Sequence, residues 1–279
     1  MFKILNYLKA FNRKRIADRR NAKFQSVLSN DFDREQLQHE FLRPLIANTA
    51  VYDTQSRGNK KFAVYSTFFG ASKAKTFNKV PIDSNFDHFF ISNNHNVLKI
   101  AKTMDWRPIY LDLPVSANRI LSAQQSKIPK ALPHLFPTLK HYDALLYIDD
   151  KLAFNASKTY QLSKTLVQNN QSVMIREHPS LTKNILNELA AAMIQPRYQA
   201  QRDQIVAYID DQIQTGLKLR VDHLFWTSAI IRNTKHVETN LINEDWYAAI
   251  LDCGIECQIA FDFIAQNYKG ITLMPQEIT

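Results

Sequence analysis

From Phe62 onward the sequence alternates short apolar runs rich in aromatic and β-branched residues with stretches of helical periodicity, and few architectures accept that alternation. Phe62 to Phe69 (FAVYSTFF) and Phe86 to Ser92 (FDHFFIS) read as strands. A helix over Val97 to Met104 leads to a third strand, Trp106 to Leu111, and Ser116 is placed to cap a helix through Gln125. Tyr142 to Ile148 (YDALLYI) is the plainest buried strand, and it stops on Asp149-Asp150. Ser157 to Val167 reads as helix, Ser172 to Ile175 as strand, and Leu181 to Ile213 as helix broken at Pro196. Phe225 to Ile231 (FWTSAII) is a further strand, followed by helices around Glu238 to Leu251 and Glu256 to Gln266. Strands joined through helices pair mainly in parallel, so the pattern predicts an α/β fold whose sheet is covered by helices on both faces. Ligands of such sheets sit at the carboxyl ends of the strands.

Ahead of this body lies a segment of different character. Of the chain's formal charge of +9, residues 1–23 carry +7 through eight basic residues and one acid, leaving a nearly neutral remainder. Met1, Ile4, Leu5, Leu8 and Phe11 recur at helical spacing before the basic cluster Arg13 to Arg20. Two arrangements fit: a helix lying on an anionic membrane surface, or one docked on the domain. Nucleic acid is a poor partner, because no interleaving of basic and aromatic residues continues into the body. Residues 31–48 read as a second helix, and the polar TQSRGNKK, Thr54 to Lys61, marks a boundary. The expected division is a helical extension over 1–58 and a domain over 59–279.

Scarcity of glycine removes whole classes of site. The five glycines stand at least twelve residues apart, so neither a dinucleotide-binding Gly-x-Gly-x-x-Gly nor a P-loop can be written, and a bound phosphate needs another neutraliser. Two cysteines, Cys253 and Cys257, give neither a disulfide framework nor a structural zinc set. No apolar run reaches the length of a membrane-spanning helix, and Lys3, Asn6 and Lys9 interrupt any signal-peptide core. The chain reads as cytosolic, free or bound to a surface.

Asp149-Asp150-Lys151 follows the buried strand directly, at the edge where ligands bind. Hard carboxylate oxygens there suit Mg²⁺ or Mn²⁺, which bridges one or two carboxylates to substrate phosphates. The alternative is a polar turn that merely closes the strand. Pro129, Pro133 and Pro137 read as shaping an irregular loop. His178-Pro179 places an imidazole at the sheet edge, where it either contacts a ligand or serves as a hydrogen-bonded structural histidine.

The stretch Ile128 to Leu152 (IPKALPHLFPTLKHYDALLYIDDKL) resembles the core motif of a glycosyltransferase-like domain family shared by plants and bacteria, whose plant members include pectin and mucilage glycosyltransferases. Shorter pieces match in the same order over about residues 61–275: Phe62 to Gly70, Phe90 to Asn94, Trp106, Ile175 to Pro179, Ala229 to Arg232, Trp246, and Gln258 to Phe261. The resemblance implies a GT-A-like, Rossmann-like fold with a nucleotide-sugar donor over the first strands and a divalent metal on Asp149. It assigns donor contacts to Tyr65, Thr67, Phe69, Asn93, Lys130, His134, Lys151 and His178, with core packing as the competing role for Tyr65 and Phe69. Asp150 falls where the family has a small residue, and is placed to assist the metal or orient a sugar hydroxyl.

The departures fall on the acceptor side. Cys257 occupies the position of the aspartate in the family's R-D-Q motif, and it shares an apolar helical stripe with Cys253, Ala260 and Ile264. Glu256 or Asp262 is left as a displaced catalytic carboxylate, each otherwise a helix charge. The resulting expectation is a metal-dependent glycosyltransferase using Mn²⁺ or Mg²⁺ and acting on a glycan or glycolipid acceptor, such as a bacterial surface-polysaccharide precursor at the cytosolic membrane face. A competing reading is a non-catalytic nucleotide-sugar-binding or scaffolding protein of the same fold.

Overall fold

The computed structural model describes residues 37–49, 60–71, 85–181 and 183–275. The basic segment 1–23 and the boundary at Gly58 lie outside the described residues. Seven strands, β1 (Phe62–Thr67), β2 (Phe86–Ser92), β3 (Arg107–Tyr110), β4 (Ala144–Ile148), β5 (Val173–Glu177), β6 (Phe225–Asn233) and β7 (Ile271–Met274), form one sheet in the order β3-β2-β1-β4-β6-β5-β7. β1 pairs in parallel with β2 and β4, β2 with β3, and β5 with β7. Only β6 runs antiparallel to its neighbours. Its direction follows from connectivity: the chain leaves the end of β5 at Glu177 and returns opposite it at Phe225, so the next strand must run back.

The helices are α1 (His39–Ala47), α2 (His95–Thr103), α3 (Arg119–Ala131), α4 (Ala156–Gln168), α5 (Ile185–Ala192), α6 (Pro196–Gln199), α7 (Arg202–Gln214), α8 (Val237–Cys253) and α9 (Cys257–Ile264). Alternation along the strands sends side chains to two separate cores. Ala63 and Tyr65 of β1 face a core completed by Leu42 and Ile46 of α1, Ile128 of α3, Trp246 of α8 and Phe263 of α9. Phe62 and Val64 face the other, with Val97, Leu98 and Ala101 of α2 and Leu166 of α4. Helices therefore cover both faces of a mostly parallel sheet. The described end of the N-terminal extension is part of the first core, since the Tyr247 hydroxyl donates to the Leu37 carbonyl at 2.8 Å and Glu244 pairs with His39 at 3.1 Å.

Several boundaries differ from the sequence reading, each for a local reason. The helix expected to start at Ser116 starts after Asn118, whose carboxamide oxygen accepts from the Ile120 and Leu121 amides at 2.9 and 3.2 Å. It then continues to Ala131 with Pro129 inside it, and Pro133 opens a 3₁₀ turn over Pro133–Leu135, so the first two prolines lie in helix rather than loop. β7 has no counterpart in the sequence reading, because its four residues (ITLM) are too few for a periodic signal.

Where β6 ends, Arg232 is buried with no carboxylate partner among the described residues. Its guanidinium donates to Asn243 Oδ1 at 2.8 Å, the Tyr65 hydroxyl at 3.1 Å and the Lys130 carbonyl at 2.7 Å, and it stacks over Trp246 at 5.7 Å. One side chain thus joins β1, α3, α8 and β6. Arg232→Met would leave three buried acceptors unsatisfied at about 1–3 kcal/mol each. We expect a loss of more than about 3 kcal/mol in urea unfolding; Tyr65→Phe, which leaves one buried guanidinium N–H unpaired, should cost about 1–3 kcal/mol.

Candidate functional site

The carboxyl ends of β1, β2, β4 and β5 and the start of β6 share one edge of the sheet. Asp149 emerges there, its amide donating to the Ser228 carbonyl at 2.9 Å, which fixes the turn against β6. The carboxylate is 45% exposed. Its Oδ1 accepts from the Tyr147 hydroxyl at 2.7 Å and faces the Lys130 ammonium at 3.4 Å. Its other oxygen accepts no hydrogen bond from a described residue. Burial, and then the neighbouring Asp149 charge, hold the Tyr147 phenol well above its ordinary range, so it stays a proton donor.

Lys130 is placed by the core. Its backbone carbonyl is gripped by Arg232, and its stem is buried so that the ammonium lies over the Tyr147 ring at 4.9 Å and against Asp149. One helical turn earlier on α3, Lys127 is half-buried. Burial alone would depress it, but the Cys257 sulfur, Tyr198 and Asp149 facing it push it upward. Two ammonium groups therefore stand behind an exposed carboxylate at the end of the central strand.

A second group gathers around the N-terminus of α9. Glu256 caps that helix, accepting from the Gln258 amide at 3.1 Å. The Gln258 side chain donates to Glu188 Oε1 of α5 at 2.5 Å, and His178 Nε2 stands 3.7 Å from Glu188 Oε2. Asp262 accepts from the Phe225 amide at 2.9 Å, while its Oδ2 is buried without a partner. Burial raises all three carboxyls. Glu188, also repelled by Glu256, is pushed up to about 7; Glu256 is raised by burial against the pull of Lys127; Asp262 is raised well above its usual range.

The other residues proposed from sequence have defined places. Tyr65 is fully buried, its hydroxyl taken by Arg232, its ring against Tyr147 and its phenol raised to about 12 by burial. Phe69 is core. Thr67 is buried, its hydroxyl 3.5 Å from the Ser126 carbonyl. Asn93 is a clamp: its carboxamide donates to the Pro114 carbonyl at 2.9 Å and Gln125 Oε1 at 3.2 Å, and accepts from the Gly70 amide at 3.2 Å. Gly70 is required there, with φ +108, and any Cβ at this position would collide with Ser122 Oγ. His134 is turned to α8, with Nε2 2.9 Å from Glu244 Oε1 and Nδ1 3.3 Å from the Asn243 amide. Asp150 is half-buried and Lys151 exposed in the turn after β4. His178 Nδ1 accepts from the Leu181 and Ser180 amides at 3.0 and 3.3 Å. The edge therefore brings together Asp149, Lys130, His178, Glu256 and Asp262, and adds Lys127, Tyr147, Glu188 and Gln258, of which Lys127 and Glu188 carried only the look of helix surface charges.

Among the described residues no three His, Cys, Asp or Glu side chains converge as a metal site. The Asp149 oxygen that accepts no hydrogen bond from a described residue is of the hard type that suits a divalent ion taking its remaining ligands from phosphate and water.

The chain matches the TOD1/MUCI70, glycosyltransferase-like domain family model over residues 54–275 and belongs to that family. Two solved structures are similar in fold. The WbbM bifunctional glycosyltransferase, apo, has a TM-score of 0.42 and 11% identity over 79% of this chain and 40% of that one. Mouse xyloside xylosyltransferase 1, apo, has a TM-score of 0.38 and 9% identity over 76% of this chain and 84% of that one. This chain thus spans well under half of the bifunctional protein. No curated protein sequence matches.

A carboxyl raised in the folded state binds protons that the unfolded chain has released, so its folded form loses stability as pH climbs from the unfolded value toward the folded one. For Glu188 that window runs from 4.5 to about 7. Urea midpoints of the wild type should fall between pH 5 and 7.5, and Glu188→Gln should flatten that fall; a parallel fall in the variant would show that Glu188 is not the group responsible.

Proposed function

We propose that the protein is a metal-assisted glycosyltransferase that moves a sugar from a nucleotide-sugar donor to a glycan or glycolipid acceptor. The observation that carries this reading is the half-exposed Asp149 at the end of the central strand, backed by Lys130 and Tyr147, in a chain of a glycosyltransferase-like family. Asp149 and Asp150 would hold Mn²⁺ or Mg²⁺, and such an ion supplies Lewis-acid neutralisation of a diphosphate. Lys130 fixes the carboxylate by charge, and Tyr147 by a hydrogen bond. Lys127 and Lys130 add positive potential where negative charge grows as the bond between anomeric carbon and diphosphate breaks. The GT-A assignment of the resemblance agrees with a sheet in which the only antiparallel strand lies beside β4.

The non-catalytic alternative is favoured by one observation: Cys257, at the family's aspartate position, is buried beside Thr227 at 3.5 Å rather than presented to an acceptor. A bacterial surface-polysaccharide precursor at an anionic membrane remains the proposed acceptor, with residues 1–23 as the anchor.

Calorimetric titration with UDP, GDP and CDP, with and without Mn²⁺, tests the donor site. At least one nucleotide should bind at least tenfold more tightly with Mn²⁺, and Asp149→Asn should remove that difference. Absence of any metal-dependent binding in the wild type rejects the reading. Metal-dependent binding without diphosphate release from the matching nucleotide sugar supports the non-catalytic one. Partition to phosphatidylserine-containing vesicles should drop at least tenfold on deleting residues 1–25, and an unchanged partition rejects the anchor.

A further inference from the structure

The acceptor half of the site lacks an assigned proton acceptor, since Cys257 stands at the family's aspartate position and Glu256 and Asp262 are both spent within the fold. Glu256 caps α9 and faces the cations Lys127, Arg197 and Lys130. Asp262 points into the core at 2% exposure and holds the Phe225 amide. Glu188 differs from both. It is the most accessible of the three at 7%, and it stands beside His178 at the end of β5.

Its two oxygens are unequally used. Oε1 accepts from the Gln258 carboxamide, which fixes the plane of the carboxyl. Oε2 lies 3.7 Å from His178 Nε2, too far for a hydrogen bond. The tautomer of His178 is set by its other nitrogen: two backbone amides, of Ser180 and Leu181, point at Nδ1 and require its lone pair. Burial lowers the imidazole further, so the ring is neutral with its single proton on Nε2, turned toward Glu188. Oε2, which accepts no hydrogen bond from a described residue, is the carboxylate atom left to receive a hydroxyl proton.

Continuity with the donor side comes through charge. Lys127 faces both Asp149 and Glu256, and Glu256 in turn faces Glu188. The groups facing Glu188 are His178 from the β5 end and Glu256, Gln258 and Asp262 from the α9 end.

We propose that Glu188 is the base of the transfer, taking the proton of the acceptor hydroxyl while Gln258 and His178 position its carboxylate. The inference rests on the glycosyl-transfer reading above. In the step, the acceptor oxygen forms its bond to the anomeric carbon, the bond from that carbon to the donor diphosphate breaks with its electron pair leaving on the diphosphate, and the acceptor proton passes to Glu188 Oε2. A base acting directly on the acceptor belongs to a single displacement, so the product has inverted configuration.

The test uses the full chain with Mn²⁺ and a panel of UDP-, GDP- and CDP-sugars, with water as the acceptor, and reads nucleoside diphosphate release from pH 5 to 9. Wild-type release should rise about tenfold per pH unit below about 7 and then level, matching the group pushed up by burial. Glu188→Gln, which keeps an oxygen for Gln258, should lower release by about 10²–10⁴-fold and abolish that limb, with nucleotide affinity unchanged. A carboxyl resonance of ¹³C-glutamate-labelled chain should titrate near 7, vanish in Glu188→Gln and move lower in Glu256→Gln as the like charge is removed. Release by Glu188→Gln at the wild-type rate and pH profile overturns the proposal and leaves the transferase reading standing. No release by the wild type from any donor rejects that reading, and this proposal with it. A glutamate carboxyl that titrates only below pH 5 also overturns the proposal.

Discussion

The Arg232 guanidinium is the interaction on which the site depends. A charge taken out of water costs several kcal/mol unless its donors are satisfied, and here three neutral acceptors and the face of Trp246 do so without a counter-ion. Burial depresses it somewhat, and the Tyr65 and Tyr147 oxygens work the other way. Because each acceptor belongs to a different element, the cost of leaving any one of them unpaired holds β1, α3, α8 and β6 in one arrangement. The Lys130 carbonyl is one of those acceptors, so the core fixes the backbone from which the Lys130 ammonium reaches Asp149.

The edge of the sheet is thereby divided into two electrostatic regions. On the β4 side, Lys127 and Lys130 lie behind the half-exposed carboxylate of Asp149. On the β5 and α9 side, Glu188, Glu256 and Asp262 crowd one another in low-dielectric surroundings and are pushed toward their protonated forms. The first suits a polyanionic donor, and the second suits the handling of a proton near neutral pH. Antiparallel β6 makes the juxtaposition possible, because its first residues, Phe225 to Ser228, enter at the edge where the parallel strands end. The Phe225 amide holds Asp262 and the Ser228 carbonyl holds the Asp149 turn, so one strand start braces both regions.

What the sequence disclosed follows the range of the forces involved. β2 occupies Phe86–Ser92 as read, although it carries the buried Asp87 and His88, and β4 ends at Ile148 as read, because a strand buried on both faces is apolar there and Asp149 ends the run. Strand direction has no such local signature. β6 reads as a strand like its neighbours, and only the return of the chain from α7 to the same edge orients it. Helix α3 overran its expected end because Pro129 near a helix terminus forfeits one hydrogen bond that tertiary packing offsets. The resemblance placed Asn93 among the donor contacts, and its partners Gly70, Pro114 and Gln125, which lie on distant segments, had no signal in the sequence. Glu188 was invisible for a similar reason. On a helix of mixed composition a glutamate reads as solvated, and only the packing of α5 against α9 brings Gln258, Glu256 and Asp262 around it.

The resemblance places an aspartate at 257 where this chain has cysteine, and the two differ electrostatically. An aspartate there would lie within reach of Lys127 and form a direct ion pair at the start of α9, where the helix dipole also favours negative charge. A thiol offers only a weak hydrogen-bond acceptor, so the Lys127 ammonium is shared between Asp149 on one side and Glu256 on the other. The pull of Lys127 on Glu256 offsets part of the effect of its burial. Burial is the larger cause of the raised Glu188 carboxyl, and repulsion from Glu256 adds to it. Lys127 thus lies between the region that would bind the donor and the region that would activate the acceptor.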